Sequence, residues 1–444
     1  MTCAERLGRL LAAAMLATLG ACSGTTSTTT TTGGPGTGGG TSVAEAHLDT
    51  PTGDNTTQVL VDSGPAGSFA LGAVNVPYVT VTLCTPGSTT QCVTIDHVFL
   101  DTGSIGLRIL KSKVASLALP PVAVPADPAT ATPAGPALEC YPFVLGAVWG
   151  PLASGDLQIA GERAGSLGVQ LIDDSTTPEH AAPADCIAAS NGQLMNTAAS
   201  LQANGILGIG MLAFDCGASC VSGDYSGGYT LYYACPASGC VPAAVPVPVQ
   251  LHNPITAFPV DYNGSVIAMP KLPGLGAGLA TGRLVFGIGT RSNNQLPSTA
   301  TTVFVDANPA HSTYLYFATQ VSTHAYPDSY IDSGSNAYFF DDSSVSQGCQ
   351  NTTGGSSSWY CPASVLQRTA VITDANGAQA SVTYQVASAD ALFSTSSLAL
   401  DDLAGSVTAG SPSFVWGLPF FYGRTVYTSI WGQVLSDNGP WNAF

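Results

Sequence analysis

The chain has 444 residues, of which 11 are basic and 28 acidic, giving a formal charge of −17, and 45% are hydrophobic. That balance argues against nucleic acid or an anionic membrane surface as an electrostatic partner, while the length leaves chain for about two or three domain-sized units around a large core. It names no substrate.

At the amino terminus Arg6 and Arg9 precede an apolar run from Leu10 to Leu19, and Leu19-Gly20-Ala21-Cys22 ends it, the order of a secretory signal rather than of a folded element. The run is too short to span a bilayer as a permanent helix. A pair of small residues directly before a cysteine resembles the bacterial lipobox, which implies that Cys22 carries lipid and holds the rest of the chain at a membrane surface. An ordinary signal peptide with an incidental cysteine is the plainer alternative. Residues 23–42 are Ser, Thr and Gly with one Pro, a composition that cannot bury apolar surface, and the flexible tether is taken to run to residue 55. No later stretch is apolar for the roughly eighteen residues a spanning helix needs. The body is therefore expected in water at the cell envelope, on the periplasmic or extracellular face.

From Val74 onward, short runs of Val, Thr, Ile and Tyr are broken by Gly, Pro, Asn and Ser, which predicts many short strands and little helix. Val76 to Leu83 reads as a strand, Thr85-Pro86-Gly87 as a turn, and Cys92 to Leu100 as the returning strand, which delivers Asp101 at its end. Ten cysteines remain once Cys3 and Cys22 are set aside, an even number in an exported chain, so five disulfides are expected. Spacing favours Cys84 with Cys92 and Cys349 with Cys361. One arrangement of the other six joins Cys140 to Cys186, Cys216 to Cys220 and Cys235 to Cys240, and sequence alone leaves their connectivity open.

A weak duplication runs through the chain. Val98-Phe99-Leu100 leads into Asp101-Thr102-Gly103-Ser104 and is followed later by Gly205-Ile206-Leu207-Gly208; Tyr330-Ile331 leads into Asp332-Ser333-Gly334-Ser335 and is followed by Phe414-Val415-Trp416-Gly417. Two lobes of one design are implied. Glycine lets a carboxylate sit at a tight turn, and the neighbouring hydroxyls can donate to it or lock the turn. If two such turns meet, the carboxylates repel, so one proton is shared, and a water between them can be activated by one acid while the other polarises a carbonyl.

These words resemble the pepsin-like aspartic peptidases from about Val76 to about Trp431. The resemblance implies an all-β fold of two pseudo-symmetric lobes, here 56–250 and 251–444, with a central cleft. It implies Asp101 and Asp332 as the reacting pair, Thr102 and Ser333 as the hydroxyls bracing the two loops, and Ser104 and Ser335 as carboxylate hydrogen-bond donors. Asn204 to Gly208, Gly282 to Gly287 and Val415 to Phe421 are similar to other recurrent stretches of that family. The implied activity is hydrolysis of an extended peptide or protein substrate by a monomer that uses no metal and no organic cofactor. Closer in wording still is a group of uncharacterised bacterial lipoproteins that share strings such as the VDSG, TIDH, DTGS and NGILG of this chain, and that resemblance implies no activity.

The chain departs from the peptidase pattern at two positions. Arg108 stands where the family has a Trp, and Trp149-Gly150 stands where its substrate-covering flap has Tyr-Gly, with only a short hairpin to follow. A cation-π pair between Arg108 and Trp149 would reconcile the two; otherwise Arg108 is a solvated charge and Trp149 a core residue. These departures motivate an alternative, a non-catalytic binding or envelope protein on the same fold. A two-carboxylate glycosidase is a further reading that the loop wording disfavours. The six histidines, His47, His97, His180, His252, His311 and His324, show no metal-binding spacing. Asp62-Ser63-Gly64-Pro65 repeats the loop wording without a later closing element and reads as a plain turn.

Overall fold

The structure is a computed structural model that describes residues 44–48, 53–65, 73–190, 192–223, 230–308, 315–347, 349, 359–433 and 440–444. The signal segment, Cys22 and most of the tether lie outside the described residues, as does His311. Among the described residues the regular structure is overwhelmingly strand, the all-β class that the alternating Val, Thr and Ile runs imply. No described helix is long and apolar enough to cross a membrane.

The strand Tyr78–Cys84 pairs antiparallel with Cys92–Asp101, placing Cys84 directly opposite Cys92, and a disulfide joins them. The other four bridges link Cys140 to Cys186, Cys216 to Cys220, Cys235 to Cys240 and Cys349 to Cys361. All ten cysteines expected to pair are thus paired.

The duplication in the sequence becomes a duplication of strand order. Cys92–Asp101 runs out to Asp101, and Ile105–Leu110 returns from it. Between the two lies Gly205–Ile209, parallel to the first, with Gly208 opposite Asp101, and antiparallel to the second. In the second half, His324–Ile331 leads to Asp332 and Tyr338–Phe339 follows it, with Val415–Trp416 parallel to the first and antiparallel to the second. An inserted third strand needs room. A Cβ on Gly208 would stand 2.7 Å from the Ser104 hydroxyl, and one on Gly417 would stand 2.5 Å from the Ser335 carbonyl, so the apolar-apolar-Gly wording reflects close passage beside each loop.

The two halves share a floor. Thr56–Val61, near the start of the described chain, pairs with Leu279–Phe286, which pairs with Gly264–Ala268 and, through it, with Thr425–Ser429. Trp441–Ala443 joins Thr425–Ser429 to Thr302–Phe304. Within the span expected to be tether, Glu45–His47 forms a strand parallel to Leu279–Thr281, and Asn55 is buried with its amide donating to the Phe286 carbonyl at 2.7 Å. The ordered body therefore begins before residue 56. Its apolar core is continuous from the first half into the second, where Phe340 and Phe414 stack at 4.9 Å beside Trp416.

Candidate active site

Asp101 and Asp332 end equivalent strands and meet at the centre of the molecule, 5% and 8% exposed. Each is held in the same way. Asp101 Oδ1 accepts the Gly103 N–H at 2.8 Å and its Oδ2 accepts the Ser104 hydroxyl; Asp332 Oδ1 accepts the Gly334 N–H at 2.8 Å and its Oδ2 accepts the Ser335 hydroxyl at 2.7 Å. The loops also hold each other. Ser333 N–H donates to Thr102 Oγ1 at 2.9 Å, Thr102 N–H donates to Ser333 Oγ at 3.1 Å, and the Ser333 hydroxyl donates onward to the Leu100 carbonyl at 2.9 Å. Each loop's glycine abuts the other loop's acid: a Cβ on Gly103 would stand 2.8 Å from Asp332 Oδ1, and one on Gly334 would collide with Asp101 Oδ1.

Burial, reinforced by the charge of Asp101, pushes the Asp332 carboxyl up to about 8, against the opposing hydrogen bonds from Ser335 and Gly334. Asp332 thus keeps its proton at neutral pH. The charge of Asp101 beside it disfavours a second charge on Asp332.

Residues 51–444 match the family described as "Protein of unknown function (DUF3443)". The chain belongs to that family. No curated protein matches its sequence. Among solved structures it is similar to "Crystal structure of aspartic proteinase from Irpex lacteus", at 11% identity and a TM-score of 0.45 over 87% of this chain and 96% of that one. So distant a likeness has no bearing on chemistry.

A cavity of about 230 Å³ opens over the two acids. Ile105, Tyr141, Phe143 and Asp215 line it from the first half and Val305, Tyr330 and Ile331 from the second. The hairpin of Gly135–Pro142 and Ala147–Ile159 covers it, closed by the Phe143 N–H donating to the Gly146 carbonyl at 2.9 Å.

The aromatic residues that this hairpin turns toward the cavity are Tyr141 and Phe143, where the sequence pointed to Trp149. Strand register explains the difference: Trp149 pairs with Cys140 and Tyr141 with Val148, so Trp149 shares the face of Cys140, away from the acids. Its indole is buried, edge-on to Tyr233, and donates to the His180 carbonyl at 2.9 Å. Arg108 is neither a surface charge nor a partner of Trp149. It is 0% exposed, paired with Glu139 at 2.7 Å, and its Cζ lies 3.8 Å from the centre of the Tyr141 ring. Burial and the adjacent Glu139 hold the neighbouring Asp215 carboxyl well above the usual carboxylate range despite Arg108.

Sequence reasoning missed Glu139, Tyr141 and Asp215. One signal was available, a lone Glu inside the apolar run Ala137 to Phe143, since a charge in a strand bound for the core demands a partner. The ionic partners of His97 among the described residues are Asp62 and Asp96, with its Nε2 3.2 Å from Asp62 Oδ2 and its Nδ1 3.1 Å from Asp96 Oδ2, and Asp62 in turn accepts the Gly64 N–H at 2.8 Å in a plain turn. Two groups of three potential metal ligands occur among the described residues, His180 with Cys235 and Cys240, and Cys349 and Cys361 with Asp390. In both, the sulfurs are bonded to each other and offer no thiolate.

Proposed function

We propose that the protein is an aspartic-type peptidase of pepsin-like architecture that hydrolyses an extended peptide with a water held between Asp101 and Asp332. The observation that carries this reading is the mutual approach of two buried carboxyls, each held by its own loop glycine and serine, with one proton retained on Asp332. A carboxylate and a carboxylic acid side by side are what water activation requires. One takes a proton from the water as it attacks the peptide carbonyl, while the acid donates a hydrogen bond to the carbonyl oxygen and stabilises the charge that develops there.

The roles then reverse. As the tetrahedral intermediate collapses, the proton taken from water is available to the leaving amine, and the pair regains its starting state without a covalent intermediate. Thr102 and Ser333 fix the separation of the two loops, and Ser104 and Ser335 fix the orientation of the carboxyls. The covering hairpin limits water to the attacking molecule. A strand-shaped substrate would enter the cavity over the two acids, which residues of both halves line, and lipid on Cys22 would keep the enzyme at the envelope.

The test is incubation of the purified protein with a mixed peptide library from acid to mildly alkaline pH, with and without a chelator. Cleavage is expected, insensitive to the chelator, and blocked by a peptide isostere carrying a tetrahedral hydroxyl. Tight binding of peptides with no cleavage at any pH would instead favour a binding protein on this fold, and cleavage abolished by the chelator would point to a metal mechanism.

A further inference from the structure

Arg108 lies on Ile105–Leu110, the strand that leaves the first aspartate loop, and its side chain has no contact with solvent. A guanidinium is held in such a place only where fixed acceptors meet it. Nη2 donates to Glu139 Oε1 at 2.7 Å, Nε to Glu139 Oε2 at 3.2 Å, and Nη1 to the Ile105 carbonyl at 2.7 Å. Asp215 Oδ2, which accepts the Tyr232 hydroxyl at 2.6 Å, stands 3.7 Å from Nη2.

Glu139 and Tyr141 are two apart on Gly135–Pro142 and so share a face. One guanidinium therefore grips the strand twice, by a forked ion pair with Glu139 and by stacking on Tyr141 at 3.8 Å. Between them, Cys140 points the other way and is bonded to Cys186. The strand is tied on both faces just before the hairpin tip.

We propose that Arg108 is a positioning residue that acts through Tyr141: it sets the covering hairpin over the aspartate pair, making the hairpin root a fixed roof and leaving the tip, Phe143 to Gly146, as the part that yields to substrate. Arginine suits the place because its fork takes both Glu139 oxygens while its Cζ stays over the Tyr141 ring; the single ammonium of lysine cannot fork a carboxylate and sit over the ring at once. The consequence for turnover rests on the reading of Asp101 and Asp332 as the reacting pair. The consequence for the hairpin does not.

Hydrogen exchange on the full chain tests the hairpin without any substrate. Arg108→Lys keeps a charge for Glu139 and loses the planar stack, Tyr141→Leu loses the stack with the ion pair intact, and Tyr141→Phe keeps both. Amides of residues 141–148 are expected to exchange at least about tenfold faster in the first two variants and at the wild-type rate in the third, with residues 92–100 protected as in wild type throughout. Wild-type exchange across 141–148 in Tyr141→Leu overturns the proposal, as does acceleration spread evenly over both segments, which would make Arg108 a general support of the fold. If Arg108→Lys does not fold, the two tyrosine variants decide. In peptide hydrolysis the first two variants are expected to lower kcat about tenfold with KM changed less than about threefold; a loosened hairpin with undiminished kcat overturns the link to turnover. A wild-type protein that cleaves nothing counts against the aspartate reading and leaves the exchange result standing.

Discussion

At the scale of single residues, the Asp332 carboxyl couples the site to pH. Its folded-state value of about 8 lies far above the ordinary 3.8, so between those values the folded chain binds a proton that the unfolded chain has released. Stability contributed by that proton falls as pH rises through the window and is lowest above it. Asp332→Asn removes the dependence. Its stability relative to wild type should rise with pH between 3.8 and about 8, reaching on the order of a few kcal/mol, as measured by urea unfolding at a series of pH values. A difference that does not vary with pH would contradict the assignment. The aspartates and their serines were legible in the sequence because each carboxyl is satisfied within its own four-residue loop. Arg108 was misread because its partners, Glu139, Tyr141 and Asp215, arrive from distant strands and no local pattern links them.

At the scale of elements, the paired loops are held by the reciprocal bonds of Thr102 and Ser333. Thr102→Val keeps the shape and leaves the Ser333 N–H buried without its acceptor, which costs about 1–3 kcal/mol. Denaturant midpoints should fall accordingly, and any peptidase activity should drop by about tenfold or more as the carboxyl separation relaxes. Disulfides provide a second, ranked expectation. Cys140–Cys186 closes a loop with a separation of 46 residues and Cys84–Cys92 one of 8. Loop-closure entropy then makes loss of the first cost about 4 kcal/mol and of the second about 2–3 kcal/mol, measured on paired Cys→Ser variants. The reverse ranking would show that strain or local packing dominates. The Cys84–Cys92 hairpin could be read directly, since turn residues and alternation lie within one short span. The covering hairpin could not, because matching Trp149-Gly150 to a family word ignores the register that sets Trp149 opposite Cys140.

At the scale of the molecule, two halves of one strand order share a floor of strands drawn from both ends of the described chain. The duplication was visible because each half repeats its strand, loop and closing glycine. The floor was not, since the pairing of Thr56–Val61 with Leu279–Phe286 spans more than half the chain and leaves no local trace. The same gap hid the strand at Glu45–His47 inside a span read from composition as tether. For the amino terminus, the expectation is that Cys22→Ser releases the protein from membranes or leaves its precursor uncleaved. Fatty-acid labelling that persists in that variant would contradict lipidation at Cys22.

The proposal that Asp101 and Asp332 act as one unit is tested most directly by the pH dependence of peptide hydrolysis in wild type, Asp101→Asn, Asp332→Asn and the double variant. Residues that share one proton are non-additive, so each single variant should lose turnover nearly as completely as the double. Wild-type activity should trace a bell whose alkaline limb falls near the Asp332 value of about 8. Hydrolysis that survives in both single variants, or a wild-type profile with no alkaline limb, would contradict the shared-proton account.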